Sequence, residues 1–310
     1  MLTNQDKTRL APTPSGFLHL GNVASFVLTY LLAKNEGWQL LLRIDDLDQA
    51  RYRPAYAEDI FKVLSTLGLE VDEGPSSVAE LELEWSQRHR LNLYQDALAQ
   101  LVEAQAVFAC HCSRKEVRAA QRLAKAGYPG TCREARHPLA PGVSWRLKTP
   151  HTALKLPSDF AKAPKTPFPT ALQDFVIKRK DDLPAYQLVS VVDDLHLGVN
   201  RLVRGQDLWE SSLAQWWLLT YLKAERPPWQ FYHHPLLEGA KEEKLSKSQK
   251  APSFWRFWDR PSGRKVFWKA IAQFLNWPRV PQSLADLEHQ AREDPPAREK
   301  LRELCQVTRP

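Results

Sequence analysis

The chain has 310 residues, 43% hydrophobic and 25% charged, a balance that excludes a disordered polymer and allows two or three domains around a large core. Its formal charge of +7 and pI of about 9.2 favour a polyanionic partner such as nucleic acid. No apolar run approaches the roughly 18 residues that span a bilayer, and the polar start MLTNQDKTRL lacks the apolar core of a signal peptide, so the expectation is a soluble cytoplasmic protein and no membrane partner.

The segment RLAPTPS reads as a short strand entering a turn, and NVASFVLTYLLAKNEG as a helix stopped at Gly37. WQLLLRIDD reads as a buried parallel strand ending in acid, and YAEDIFKVLSTLGL as an amphipathic helix. This alternation predicts an α/β fold with a parallel sheet covered on both faces. Between about Val107 and Pro169, cysteines, prolines and basic residues interrupt the periodicity, as in an inserted module. The α/β pattern then resumes: QDFVIKRKDDLPAYQLV reads as a hairpin, NRLVRG as a strand and ESSLAQWWLLTYL as a helix. From Ala251 onward the pattern is helical, broken by RP, WP and DPP.

Two segments carry chemistry. PTPSGFLHLGN, residues 12–22, delivers His19, Gly21 and Asn22 to the start of a helix, where unpaired backbone N–H groups and the helix dipole attract phosphate. A plain turn needs only the glycines; an imidazole adds a donor for phosphate oxygens, although a turn histidine also serves as a local cap. KLSKS, Lys244 to Ser248, sets two lysines three residues apart among small residues, a pattern suited to a phosphate clamp.

These two segments resemble the HIGH and KMSKS signatures of class I aminoacyl-tRNA synthetases. RLAPTPSGFLHLGN, LLRIDDLDQARY, AYQLVSVVDDLHLGVNRLVRGQDL and HHPLL…KLSKS are similar to the glutamyl branch, in the right order over residues 9 to 252. Only 62 residues follow Ser248, fewer than an anticodon-binding region needs, so the chain resembles the short family, the glutamyl-Q tRNA(Asp) synthetases. That resemblance implies a Rossmann-like doubly wound parallel sheet, the class I synthetase catalytic core. The core is divided into residues 1–106 and 186–250, with a zinc-containing acceptor-binding module at 107–185 and a short helical region at 251–310.

The implied activity is a ligase reaction. L-glutamate is activated with ATP and Mg²⁺ without tRNA, then transferred to the queuosine base of tRNA(Asp) by an enzyme expected to act as a monomer. The alternatives are a truncated glutamyl-tRNA synthetase charging tRNA(Glu), a non-catalytic tRNA-binding paralogue, and a related nucleotidyltransferase with another acid. On the resemblance, His19 and Lys247 are the catalytic pair, and His19, Gly21, Asn22, Lys244 and Lys247 contact ATP. The glutamate site maps onto Arg9, Leu10, Ala11, Pro12, Thr13, Asp45, Tyr186 and Arg204. The arginines fork onto carboxylates, Tyr186 donates a hydrogen bond and Asp45 receives the ammonium. Asp45 stands where the family usually has glutamate, and Asn22 where the signature has its second histidine.

Cys110 and Cys112 form C-x-C, followed by Tyr128 and Cys132 spaced Y-x3-C, the family's pattern for one structural Zn²⁺. His111 and His137 are alternatives to Tyr128 as fourth ligand, and Cys305 lies apart in the tail. That tail interleaves Trp255, Trp258 and Trp268 with Arg256, Arg260, Arg264 and Lys265. Tryptophans at i and i+3 read as a buried stripe, the competing reading being a nucleic-acid platform.

Overall fold

The computed structural model describes residues 5–124, 127–156, 165–222, 229–237 and 253–305. In chain order, strand β1 (Lys7–Leu10) leads through a proline-rich turn into helix α1 (Leu20–Glu36), strand β2 (Gln39–Leu42) and helix α2 (Pro54–Leu67). Helix α3 (Leu91–Glu103), strand β3 (Val107–Cys110), helix α4 (Arg114–Ala124) and strands β4 (Ser144–Leu147), β5 (Leu154–Lys155), β6 (Lys165–Thr166) and β7 (Val176–Lys178) follow. Helix α5 (Tyr186–His196), strand β8 (Arg201–Gly205), helix α6 (Trp209–Leu219) and strand β9 (Gln230–His234) precede four C-terminal helices, α7 (Phe254–Trp258), α8 (Gly263–Phe274), α9 (Leu284–Glu293) and α10 (Pro295–Leu304). The architecture is mixed α/β.

The described residues form two compact units, one of residues 1–89, 199–206 and 231–310, the other of residues 90–198 and 207–230. In the first unit β1 and β2 pair in parallel, Lys7 with Gln39 through Leu10 with Leu42, and α1 is the crossover that a parallel pair requires. Leu40, Leu41 and Leu42 are buried, as a strand covered on both faces should be. Helix α1 ends at Gly37, whose φ of 69° is the left-handed cap conformation that glycine adopts without a Cβ clash. Beside this pair, β8 pairs with β9, and the Asn200 N–H donates to the Lys7 carbonyl (3.0 Å).

The C-terminal helices close the same core. Phe254, Trp258, Phe267, Trp268 and Leu287 pack with Val27 and Leu31 of α1, and Arg302 forks onto Glu36 (2.5 and 2.6 Å). Of the tryptophan stripe, Trp258 and Trp268 are buried and Trp255 is partly buried. Trp258 is 9% and Trp268 4% exposed, Trp255 donates its indole N–H to Asp59 (2.5 Å), and Arg256, Arg260, Arg264 and Lys265 face outward around them. DPP breaks the tail as expected. Asp294 accepts from the Ala297 N–H, and Pro295 occupies the first helical position, where its missing N–H costs nothing.

In the second unit β3, β4 and β7 form an antiparallel sheet in that order. The expected hairpin over QDFVIKRKDDLPAYQLV is present only at its turn: the Arg179 N–H donates to the Leu183 carbonyl and the Ala185 N–H to the Ile177 carbonyl, each at 2.8 Å, around the Lys178–Pro184 bridge. The return strand is corrected, because the chain enters α5 at Tyr186. The YQLVSVVDDLH run has helical periodicity, with Leu188, Val189 and Val192 buried. Pro184 disfavours helix only for the residue before it, so α5 starts directly downstream. Helices α3 and α5 are tied by Asp193, fully buried, which receives Arg90 at 2.8 and 3.1 Å and the Tyr94 hydroxyl at 2.7 Å. Among the described residues, no helix is long and apolar enough to cross a membrane.

Candidate functional site

The turn that follows β1 builds the first constellation. The Arg43 N–H donates to the Leu10 carbonyl and the Asp45 N–H to the Pro12 carbonyl, each at 2.9 Å. Residues Arg9, Leu10, Ala11, Pro12 and Thr13 are thereby brought alongside Asp45 at the carboxyl ends of β1 and β2. Arg9 is buried, and its guanidinium donates to the Val203 carbonyl (3.4 Å), next to buried Arg204. The structure thus brings Arg9, the stretch to Thr13, Asp45 and Arg204 into one unit. Tyr186 lies in the other, half exposed as the first residue of α5.

His19 is the N-cap of α1. Its Nδ1 accepts from the Asn22 N–H (3.3 Å), while the Asn22 amide oxygen accepts from the His19 N–H (3.2 Å), a reciprocal capping box. Accepting at Nδ1 requires the tautomer protonated at Nε2, and burial lowers the imidazole pKa below its usual 6.5. The local-cap and phosphate-donor readings of this histidine are therefore compatible, because each uses a different ring nitrogen. Gly21 makes room for the ring: a Cβ there would stand 3.2 Å from His19 Cε1 and Nδ1.

Sequence reasoning missed how this turn is held. Buried Asp59 of α2 accepts from the Leu18 N–H (2.8 Å) and from the Trp255 indole. The Phe254 N–H donates to the Leu18 carbonyl (2.7 Å), and His19 and Ser253 form an antiparallel bridge. Lys244 and Lys247 lie outside the described residues. The chain that follows them re-enters on His19 itself, however, and the chain that precedes them leaves from His234, whose Nε2 is 2.9 Å from Ser25 Oγ of α1. Only a carboxylate at 59 on the inner face of α2, once α2 and α7 are packed, reveals this clamp.

Asp45 is held by Arg43 in a fork (Nε–Oδ1 2.8 Å, Nη2–Oδ2 3.1 Å) and receives the Gln87 amide (3.3 Å). Its neighbour Asp46 is buried and structural, accepting from Ser86 Oγ (2.6 Å) and the Gln87 N–H (2.8 Å). Arg204 lies over the Phe231 ring (5.3 Å) and beside His233. Burial first, then Arg204, then His234 hold the His233 imidazole down at about 3, so it is neutral at pH 7 and does not share the positive charge of Arg204. The HHPLL segment carries these two histidines; their role emerges only from the β8–β9 pairing.

The second constellation is in the other unit. Cys110 ends β3, and Cys112 and Cys132 bring their Sγ atoms together with it, all within 4.8 Å of one another. The Tyr128 hydroxyl oxygen lies 3.3 Å from Cys110 Sγ and 3.8 Å from Cys112 Sγ, and Cys112 and Cys132 are 3.6 Å apart. A tetrahedral ion with metal–sulfur bonds near 2.3 Å has ligand–ligand edges of about 3.8 Å, so this S₃O group fits a zinc-sized dication. His111 and His137 instead pack edge to face on each other, ring centroids 4.7 Å apart.

Burial pushes the Cys112 thiol up to about 11, and burial and the neighbouring thiols raise the Tyr128 phenol. For Cys132, burial is outweighed by hydrogen bonds from Tyr128, the His111 N–H and Cys112, which lower its pKa. A dication among these groups favours the ionised thiolates that crowding and burial resist. Cys305 is buried in the first unit, away from this group.

Residues 6–263 match the family described as tRNA synthetases class I (E and Q), catalytic domain. The glutamyl-Q tRNA(Asp) synthetase of Symbiobacterium thermophilum is 40% identical over 256 residues, covering 77% of this chain and 77% of that protein. The glutamyl-Q tRNA(Asp) synthetase of Neisseria meningitidis serogroup C is 34% identical over 280 residues, covering 89% and 90%. Among solved structures, the glutamate-tRNA synthetase of Elizabethkingia anophelis superposes with a TM-score of 0.64 at 25% identity over 78% of this chain; the chain spans about half, 52%, of that longer protein. The chain therefore belongs to the class I tRNA synthetases (E and Q), within them to the glutamyl-Q tRNA(Asp) synthetase family, and is a ligase enzyme.

Proposed function

We propose that the protein activates L-glutamate with ATP and Mg²⁺ to glutamyl-adenylate without needing tRNA, then transfers glutamate to the queuosine base of tRNA(Asp). The observation that carries this reading is the His19 ring, committed at Nδ1 to the helix cap and presenting Nε2–H at the amino end of α1. In the reaction the glutamate α-carboxylate attacks the α-phosphorus and pyrophosphate leaves. The chain supplies no nucleophile, only position and charge. His19 Nε2–H and Lys247 stabilise the phosphate oxygens, with Gly21, Asn22 and Lys244 completing the ATP contacts. Ser253, six residues after Lys247 in the sequence, is the residue that bridges to His19.

Arg9 and Arg204 bind the glutamate carboxylates, Tyr186 adds a hydroxyl donor, and Leu10 to Thr13 form the wall. Asp45 receives the ammonium as part of its pair with Arg43. The parallel β1–β2 pair supports a doubly wound sheet, with residues 107–185 as an acceptor-binding module organised by zinc. Cys110, Cys112, Cys132 and Tyr128 hold that Zn²⁺, which when bound cross-links the module's loops.

Glutamate-dependent ATP–pyrophosphate exchange, measured with no tRNA present, is expected to proceed. Exchange that appears only with tRNA(Glu), or no exchange under any condition, would overturn the reading. Transfer of labelled glutamate to tRNA(Asp) with queuosine, and not to the same tRNA lacking it, tests the acceptor. Purified protein is expected to hold one zinc per chain by atomic absorption and Cys110→Ser to hold far less; equal content in the two sinks the metal assignment.

A further inference from the structure

We infer that Arg146 is a positioning residue of the metal centre: laid on the face of Tyr128 and tied to Asp174, it holds the phenol oxygen against the three thiols. The inference rests on the zinc reading above. Arg146 is 8% exposed, and its guanidinium carbon lies 3.8 Å from the centroid of the Tyr128 ring. Its Nη1 donates to the Asp174 carbonyl (2.8 Å), while its buried Nε makes no hydrogen bond among the described residues. A buried guanidinium with a donor unspent is costly, so packing alone is a poor reason for an arginine here.

The strand geometry aims it. Arg146 sits opposite Phe108 across β3 and β4, and the Phe108 ring also packs on Tyr128, centroids 6.0 Å apart. On its other side the β4–β7 register shifts between Trp145 and Arg146, the irregularity by which a strand re-aims a side chain. The Cys132 N–H donates to the Tyr128 hydroxyl (2.9 Å), so ring face and oxygen are held separately.

Asp174 joins the two holds. It is 1% exposed with a left-handed φ of 46°, and its carboxylate accepts from the Thr149 N–H (2.9 Å) and pairs with Arg133, the residue after Cys132. One buried residue thus anchors both the arginine on Tyr128 and the chain leaving Cys132. A lysine at 146 keeps the charge but loses the planar stack and the directed N–H.

The test is Zn²⁺ affinity by competition with a chromophoric chelator, together with the tyrosinate ultraviolet difference band on metal loading. It is run on the full-length wild type, Tyr128→Phe, Arg146→Met, Arg146→Lys and the Tyr128→Phe/Arg146→Met double variant, with thermal melts of each apo-protein. Arg146→Met is expected to weaken zinc by about 10–100-fold and diminish the band, with Arg146→Lys between it and wild type. The double variant is expected to bind no more weakly than Tyr128→Phe alone, because the arginine acts through that ring. If Tyr128→Phe binds as wild type does and no band appears, the tyrosine-ligand reading falls and takes the inference with it. If Tyr128→Phe is weakened but both arginine variants match wild type, or the effects add in the double variant, the inference alone is overturned. Should Arg146→Met fail to fold, Arg146→Lys decides.

Discussion

Replacing His19 by asparagine is expected to slow glutamate-dependent ATP–pyrophosphate exchange by about 10²–10³-fold, the loss typical of one preorganised donor to a developing negative charge. Thermal stability should change by less than about 1 kcal/mol, since asparagine is a strong N-cap whose amide oxygen can take over from Nδ1 as acceptor of the Asn22 N–H. The substitution therefore separates the two uses of one ring. His19→Ala, by contrast, removes both and should lose about 1 kcal/mol of stability along with the rate. Because burial lowers the His19 pKa, the neutral ring is the donor, and no activity should be lost through its deprotonation as pH rises from 7 to 8. An asparagine variant with undiminished exchange would remove the imidazole from the mechanism.

His233 should make the protein acid-sensitive in a defined window. Its folded-state pKa of about 3 is depressed from 6.5, chiefly by burial. As pH falls below 6.5 the unfolded chain takes up a proton that the folded chain refuses, so stability is intact above 6.5 and declines until about pH 3. The slope is roughly 1.4 kcal/mol per pH unit, which gives about 2 kcal/mol lost by pH 5 and roughly 4–5 kcal/mol by pH 3. Against a typical 5–15 kcal/mol for a whole domain, this one ring is a major term. Urea unfolding at pH 7 and pH 5 measures it. His233→Gln, which stays neutral, should lose about 2 kcal/mol less between the two pH values than wild type does, and equal losses would show that the ring titrates normally.

The acid sensitivity has its origin in the packing around Arg204. The Arg204 guanidinium is charged throughout this range, and burial, with the Phe231 ring stacked on it, keeps His233 neutral, so no second positive charge is buried beside it. The proposed glutamate site and the acid lability are linked through that arrangement.

The helices α1 and α2, the Gly37 stop of α1, strands β1 and β2 and the helical tail were legible in the sequence, because local periodicity and capping residues decide them. The C-x-C and Y-x3-C spacing likewise picked out the thiols that the fold gathers around Tyr128. AYQLV was misread because an apolar run after a proline fits strand and helix equally, and only the packing of α5 against α3 through Asp193 chooses between them. Asp59 as the clamp on Leu18 and Trp255, the pairing of Asp45 with Arg43, the depressed His233 and the stack of Arg146 on Tyr128 were decided by tertiary structure alone. Each joins residues that are distant in sequence or set by their surroundings, and hydrogen-bond direction, burial and electrostatic neighbourhood exist only once the elements have packed.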